Sequence, residues 1–118
     1  MTSEELKRRT KEMSLSVIRL VTSLPRSREV DIFSRQVIRS ATSVAANYRA
    51  ACKARSRADF INKIGIVEEE ADETVLWIEY LIDLDLVPKD KGEAILKEVS
   101  ELVAIFAASA KTAKQNRK

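Results

Sequence analysis

The sequence predicts an all-α fold: an antiparallel, up-down-up-down four-helix bundle formed by one domain over residues 1–118. Three observations predict it. Apolar residues recur at spacings of three and four in four successive segments. Gly and Pro number only two each, too little punctuation for a many-stranded β fold. The breaks between segments are short, as in bundles whose consecutive helices lie side by side.

The first helix is expected over about residues 4–24, where Leu6, Met13, Val17, Leu20 and Leu24 form one stripe and Pro25 ends it. The second is expected over about 29–54. Its seam is Phe33, Val37, Ala41, Val44, Tyr48 and Ala51, in a segment rich in Ala and free of Gly and Pro. Ser56 opens the third, over about 57–86, as the N-cap of a box closed by Asp59. Phe60, Ile64, Val67, Ala71, Thr74, Ile78 and Leu81 form its seam. The fourth is expected over about 88–113, with Pro88 in its first turn and a seam of Leu96, Val99, Val103, Phe106, Ala110 and Ala113. Gly92 is expected to loosen its start, and residues 115–118 to be disordered.

Composition argues against most enzyme chemistry. The chain has no His, which removes Ser-His-Asp and Cys-His catalysis and His-ligated metals. Gly65 and Gly92 are too far apart for a phosphate-cradling loop. Cys52 has no disulfide partner within the chain. The expectation is a protein with no catalytic or metal site, no cofactor and no small-molecule substrate. The first residues lack the apolar core of a signal peptide. The longest uncharged stretches have nine residues, against the ~20 of a membrane span. A cytoplasmic location without membrane contact is expected.

Charge is distributed unevenly. Residues 1–58 carry 13 Lys/Arg and 5 Asp/Glu, whereas residues 59–101 carry 4 and 13. At 100° per residue Arg35, Arg39, Arg49 and Lys53 fall near one line of the second helix, and Arg55 and Arg57 extend it into the loop. Such a row could track a nucleic-acid backbone. It could equally pair with the acidic third helix. No aromatic residue interleaves it, so base stacking is not supported. The acidic run Glu68, Glu69, Glu70, Asp72 and Glu73 contains like-charge pairs four apart, and an intersubunit match to the Arg row would offset their repulsion.

The third helix also carries a second apolar row, Ile66, Trp77, Tyr80 and Leu84, and the second helix adds Ile38 and Ala45. A periodic second row containing a Trp favours self-association, so these six residues are the candidate oligomer interface. The alternative is that Trp77 and Tyr80 pack at the bundle's edge.

The segment Gln36-Val37-Ile38-Arg39-Ser40-Ala41-Thr42-Ser43-Val44-Ala45-Ala46-Asn47 resembles the second-helix signature of a known family. Its founders are encoded by intervening sequences in bacterial 23S ribosomal RNA genes. Ser56-Arg57-Ala58-Asp59-Phe60 is similar to that family's opening of helix three, and Glu68 to Glu73 with Trp77-Ile78-Glu79 fall where it carries Glu-Leu-Glu. The resemblance implies a four-helix bundle assembled as a ring-like homopentamer, with RNA association often supposed. It extends to the accessory variability proteins of diversity-generating retroelements, which are pentamers that bind nucleic acid. Tyr48-Arg49-Ala50-Ala51 stands where the family usually has Ile-Ala-Glu-Gly, and Ala45 replaces a frequent Pro, so a straighter second helix with added positive charge is expected.

The expected function is therefore a non-enzymatic oligomeric scaffold or accessory protein that binds RNA or DNA through the basic face of helix two. The alternative is a protein–protein interaction module with no nucleic-acid role.

Overall fold

The structure is a computed structural model, and it describes residues 1–116. Among these residues there are four helices and no strand: α1 (Ser3–Thr22), α2 (Arg28–Cys52), α3 (Arg57–Asp83) and α4 (Lys89–Gln115). They lie side by side in a body of 51 × 21 × 19 Å. The helix pairs in contact are α1–α2, α2–α3, α3–α4 and α1–α4.

Local chemistry sets the ends. The hydroxyl oxygens of Thr2, Ser27 and Ser56 accept from the backbone N–H three residues on, at 3.1, 3.1 and 3.0 Å. Each fills one orphan donor of a first turn. The expected box at Ser56 is only half formed: the Asp59 carboxylate reaches past Ser56 to the Arg55 N–H at 3.2 Å.

The third helix ends at Asp83, three residues before the expected Leu86. Asp85 takes the left-handed conformation at φ 56°, the Leu86 N–H returns to the Leu81 carbonyl, and the Asp85 N–H returns to Ile82. This is a Schellman ending with Asp in the place glycine usually holds, which is why the sequence pattern overran it.

The core is drawn from the predicted seams. Val37, Ala41, Val44, Ile64, Val67 and Ala71 have no exposure at all. Across the core, the Tyr48 and Phe106 rings lie 5.5 Å apart. Burial raises the Tyr48 phenol pKa, with Cys52 beside it as the next cause.

Three expectations need correction. Leu102, absent from the predicted α4 seam, is fully buried, and Leu96, Val103 and Ala113 are half-buried at the core's edge. The start of α4 is not loosened by Gly92. Gly92 is buried against Ile82 and Val87, and a Cβ there would come within 2.8 Å of Ile82 Cγ1 and 2.9 Å of Val87 Cγ2. The expected disorder over 115–118 does not begin at Gln115, which ends α4. Asn116 caps that helix, and its carbonyl accepts from the Arg57 guanidinium. Residues 117 and 118 lie outside the described residues.

The α1–α4 seam is the least filled. Ser16 and Ala94 face one another across two shallow grooves there, of about 340 and 290 Å³. Arg9 spans the seam: its Nε and Nη2 donate to the two Glu98 carboxylate oxygens, each at 2.7 Å, and Nη2 lies 3.4 Å from Glu101 Oε2.

Candidate functional site

The basic row belongs to α2 and the loop after it. Arg35, Arg39 and Arg49 are exposed helix residues, Lys53 is the C-cap, Arg55 lies in the loop and Arg57 is the first residue of α3. The structure divides them. Arg39 is paired within its own chain, with Nη1 3.3 Å from Glu70 Oε1 and Nη2 on Glu73 Oε1. At half exposure such a pair contributes roughly 0–1 kcal/mol. Among the described residues, no ion pair includes Arg35, Arg49, Lys53, Arg55 or Arg57. Arg35 and Arg39 also line a groove of about 400 Å³ with Arg26, Asp31, Ser34 and Ile38. It is shallow and holds an Arg26–Asp31 pair at 3.2 Å.

The candidate interface residues do not form one patch. Trp77 and Tyr80 come together with Phe33 of α2. The Phe33 and Tyr80 rings stack at 5.1 Å and 13°, and Trp77 lies 6.2 Å from Phe33 and 5.9 Å from Tyr80. Ile66 is half-buried on the same flank of α3 by helical phase. Leu84, the C-cap of α3, is exposed at 49%. Ile38 and Ala45 lie elsewhere, half-buried on the flank of α2 toward α1; Ile38 lines a groove with Val21, Thr22 and Leu24.

Sequence reasoning missed three participants. Phe33 was assigned to the core seam but is half-buried in the aromatic cluster. Ile32 and Leu76 are exposed at 48% and 44% beside it in sequence. Each lies one residue from a ring of the cluster, and that adjacency was the available signal.

The acidic run is also divided. Glu70 and Glu73 take Arg39, on the side of α3 that faces α2. Glu68, Asp72, Glu79 and Asp83 follow at spacings of four, seven and four on the flank toward α4, roughly opposite Glu70 at 100° per residue. None of these four enters an ion pair among the described residues. No group of three or more Asp, Glu or Cys side chains there is placed to hold a metal ion. No described helix is long and apolar enough to cross a membrane.

Fold and surfaces together define a small all-α, four-helix protein whose chemistry-bearing side chains lie on outward helix faces. The chain belongs to the 23S rRNA-intervening sequence protein family, whose model matches residues 3–108. It is similar to a Bacteroides thetaiotaomicron protein of unknown function from the S23 ribosomal protein family. That crystal structure shares 33% identity over 94% of this chain and 99% of the other, with a TM-score of 0.85. No curated protein matches the chain.

Proposed function

We propose that the chain is a non-enzymatic, self-associating scaffold or accessory protein, folded as an antiparallel up-down-up-down bundle and working in the cytoplasm. Contacts between α2 and α3 in which one residue number rises as the other falls support the up-down course, Phe33 meeting Tyr80 and Ser40 meeting Thr74, and so does the meeting of Arg57 at the start of α3 with Asn116 at the end of α4. One observation carries the self-association. Tyr80 of the Phe33–Trp77–Tyr80 cluster is 43% exposed, and Ile32, Leu76 and Leu84, near its rings in sequence, are 44–49% exposed. An apolar patch built on stacked aromatics is the composition of an interface core rather than of a solvated face. The family resemblance supports a ring of five copies.

Light scattering tests this reading. At micromolar concentration the mass should be several times 13.3 kDa. Tyr80→Glu with Leu84→Glu should give smaller species that keep helical circular dichroism. A monomer at every concentration would refute the reading.

The cations that enter no ion pair among the described residues favour a second reading, in which the α2 face binds RNA or DNA. Arg35, Arg49, Lys53, Arg55 and Arg57 offer a polyanion several contacts per protomer, and a ring would multiply them. The name of the family refers to 23S rRNA, which supports RNA as that polyanion. Affinity should then fall steeply with salt and vary little with sequence.

A further inference from the structure

We infer that the basic row of α2 is a docking surface for a second copy of this chain, and that it seats on the acidic row of α3. The inference rests on the self-association reading and names the surfaces that meet.

Each row repels itself. Arg35 and Arg39 are four apart on one helix, as are Arg49 and Lys53, and on α3 Glu68 and Asp72 repeat that spacing. Like charges at i,i+4 destabilise a helix. The chain offsets only part of this, because Arg39 reaches Glu70 and Glu73 and no other cation of the row enters an ion pair among the described residues. Arg35 and Arg49 cannot reach Asp72 and Glu79 of their own chain, since the acidic row lies on the flank of α3 turned away from α2. A second copy can supply the opposite charge to both rows.

The surroundings of the rows fit the same partner. Leu76, exposed, borders the acidic row, and Tyr80 and Leu84, exposed at the next two spacings of four, carry that apolar line on toward the α2 flank. Thr42 and Ala46, small and exposed, sit between the cations of α2 and let a facing helix approach closely. Gly65, on the same flank of α3 as Asp72 and Glu79, has nothing within 4 Å of where a Cβ would stand, so the chain's own packing does not require glycine there. An apolar centre edged by complementary charge is the anatomy of a specific protein contact. A nucleic acid would match the cations but would leave both the acidic row and its apolar border without a partner.

The two surfaces differ, so the contact is heterologous. Every docked copy leaves one surface of each kind free at the two ends of the assembly, and a ring closes where the rotation between copies brings those ends together.

Reversal and restoration of charge test this. Arg35→Glu with Arg49→Glu should lower the light-scattering mass from the wild-type oligomer to about one protomer, with helical circular dichroism retained. Adding Asp72→Arg and Glu79→Arg in the same chain should restore the wild-type mass. All four positions are exposed, so folding is not at stake. Raising salt should also shrink the wild-type species. Three results would overturn the inference. If the double variant keeps the wild-type mass, these surfaces do not meet, while self-association stands. If the double variant keeps its mass but loses binding to a single-stranded RNA at low salt, the row belongs to nucleic acid. A monomeric wild type removes the self-association reading itself, and the inference with it.

Discussion

Thr74 Oγ1 donates to Ser40 Oγ at 2.8 Å, joining α3 to α2 through two hydroxyls that have no solvent exposure. Ser40 Oγ in turn donates to the Val37 carbonyl at 3.3 Å. Buried polar groups cost stability when one partner is removed and little when both are. Thr74→Val alone should therefore lower unfolding stability by about 1–3 kcal/mol. Thr74→Val with Ser40→Ala should lose less than the two single variants added together. Denaturant midpoints of the four chains give that coupling directly; strict additivity would show that the bond contributes nothing.

The two glycines should respond to alanine with opposite signs. At Gly65 nothing stands within 4 Å of a new Cβ, so Gly65→Ala should raise the stability of a dissociated protomer by roughly 0.5–1 kcal/mol through helix propensity. At Gly92 the new carbon meets two β-branched side chains at 2.8 and 2.9 Å. Gly92→Ala should cost about 1–3 kcal/mol through overpacking, less whatever propensity returns. Thermal midpoints measured side by side decide it.

Acid should act on the start of α3. The Asp59 carboxylate is held below its ordinary value of 3.8, first by Lys63 Nζ at 2.9 Å and then by the Arg55 N–H. The folded chain thus binds this proton less readily than the unfolded chain. The stabilisation is complete at neutral pH and is lost as pH falls below about 4, through the lowered value. Asp59→Asn should lower the thermal midpoint at pH 7 and converge on the wild-type curve as pH falls below the ordinary carboxylate range. Parallel curves would remove Asp59 from the acid transition.

The fork from Arg9 to Glu98 should not tolerate lysine. A guanidinium places two N–H groups on two carboxylate oxygens, and an ammonium cannot. Arg9→Lys should cost up to about 1 kcal/mol, since the pair is partly exposed. Arg9→Ala should cost more, because the stem's packing is lost as well. Equal midpoints for Arg9→Lys and wild type would show that the fork adds nothing beyond charge.

The helices were legible because burial of one stripe per helix imposes a period near 3.6, and Val17, Val37, Ile64 and Ile78 obey it. The phase of α4 was not. Leu102 and Val103 are both apolar, and only the position of α3 beside α4 decides which of them is enclosed. Ser40 was invisible for a different reason: a polar residue becomes a core residue only when a partner hydroxyl meets it, and Thr74 is 34 residues away. The left-handed Asp85 hid the end of α3 because side-chain chemistry marks that conformation weakly outside glycine. Within the candidate surfaces, the rows of charge could be read from spacing. That Arg39 turns to Glu70 and Glu73 depends on how α2 is rotated against α3, which a single helix's periodicity does not contain.

Three of the four helix seams join neighbours in sequence, and only α1–α4 unites distant parts of the chain. Most native contacts therefore form by closing short loops, which places this protein among low-contact-order folders with relaxation in the microsecond-to-millisecond range. The grooves beside Ser16 and Ala94 make the α1–α4 seam the last to gain from closure and the first to release. Hydrogen exchange should find α1 leaving as a unit at a lower free energy than the α2–α3 pair, so the protein carries one cooperative boundary along its own length.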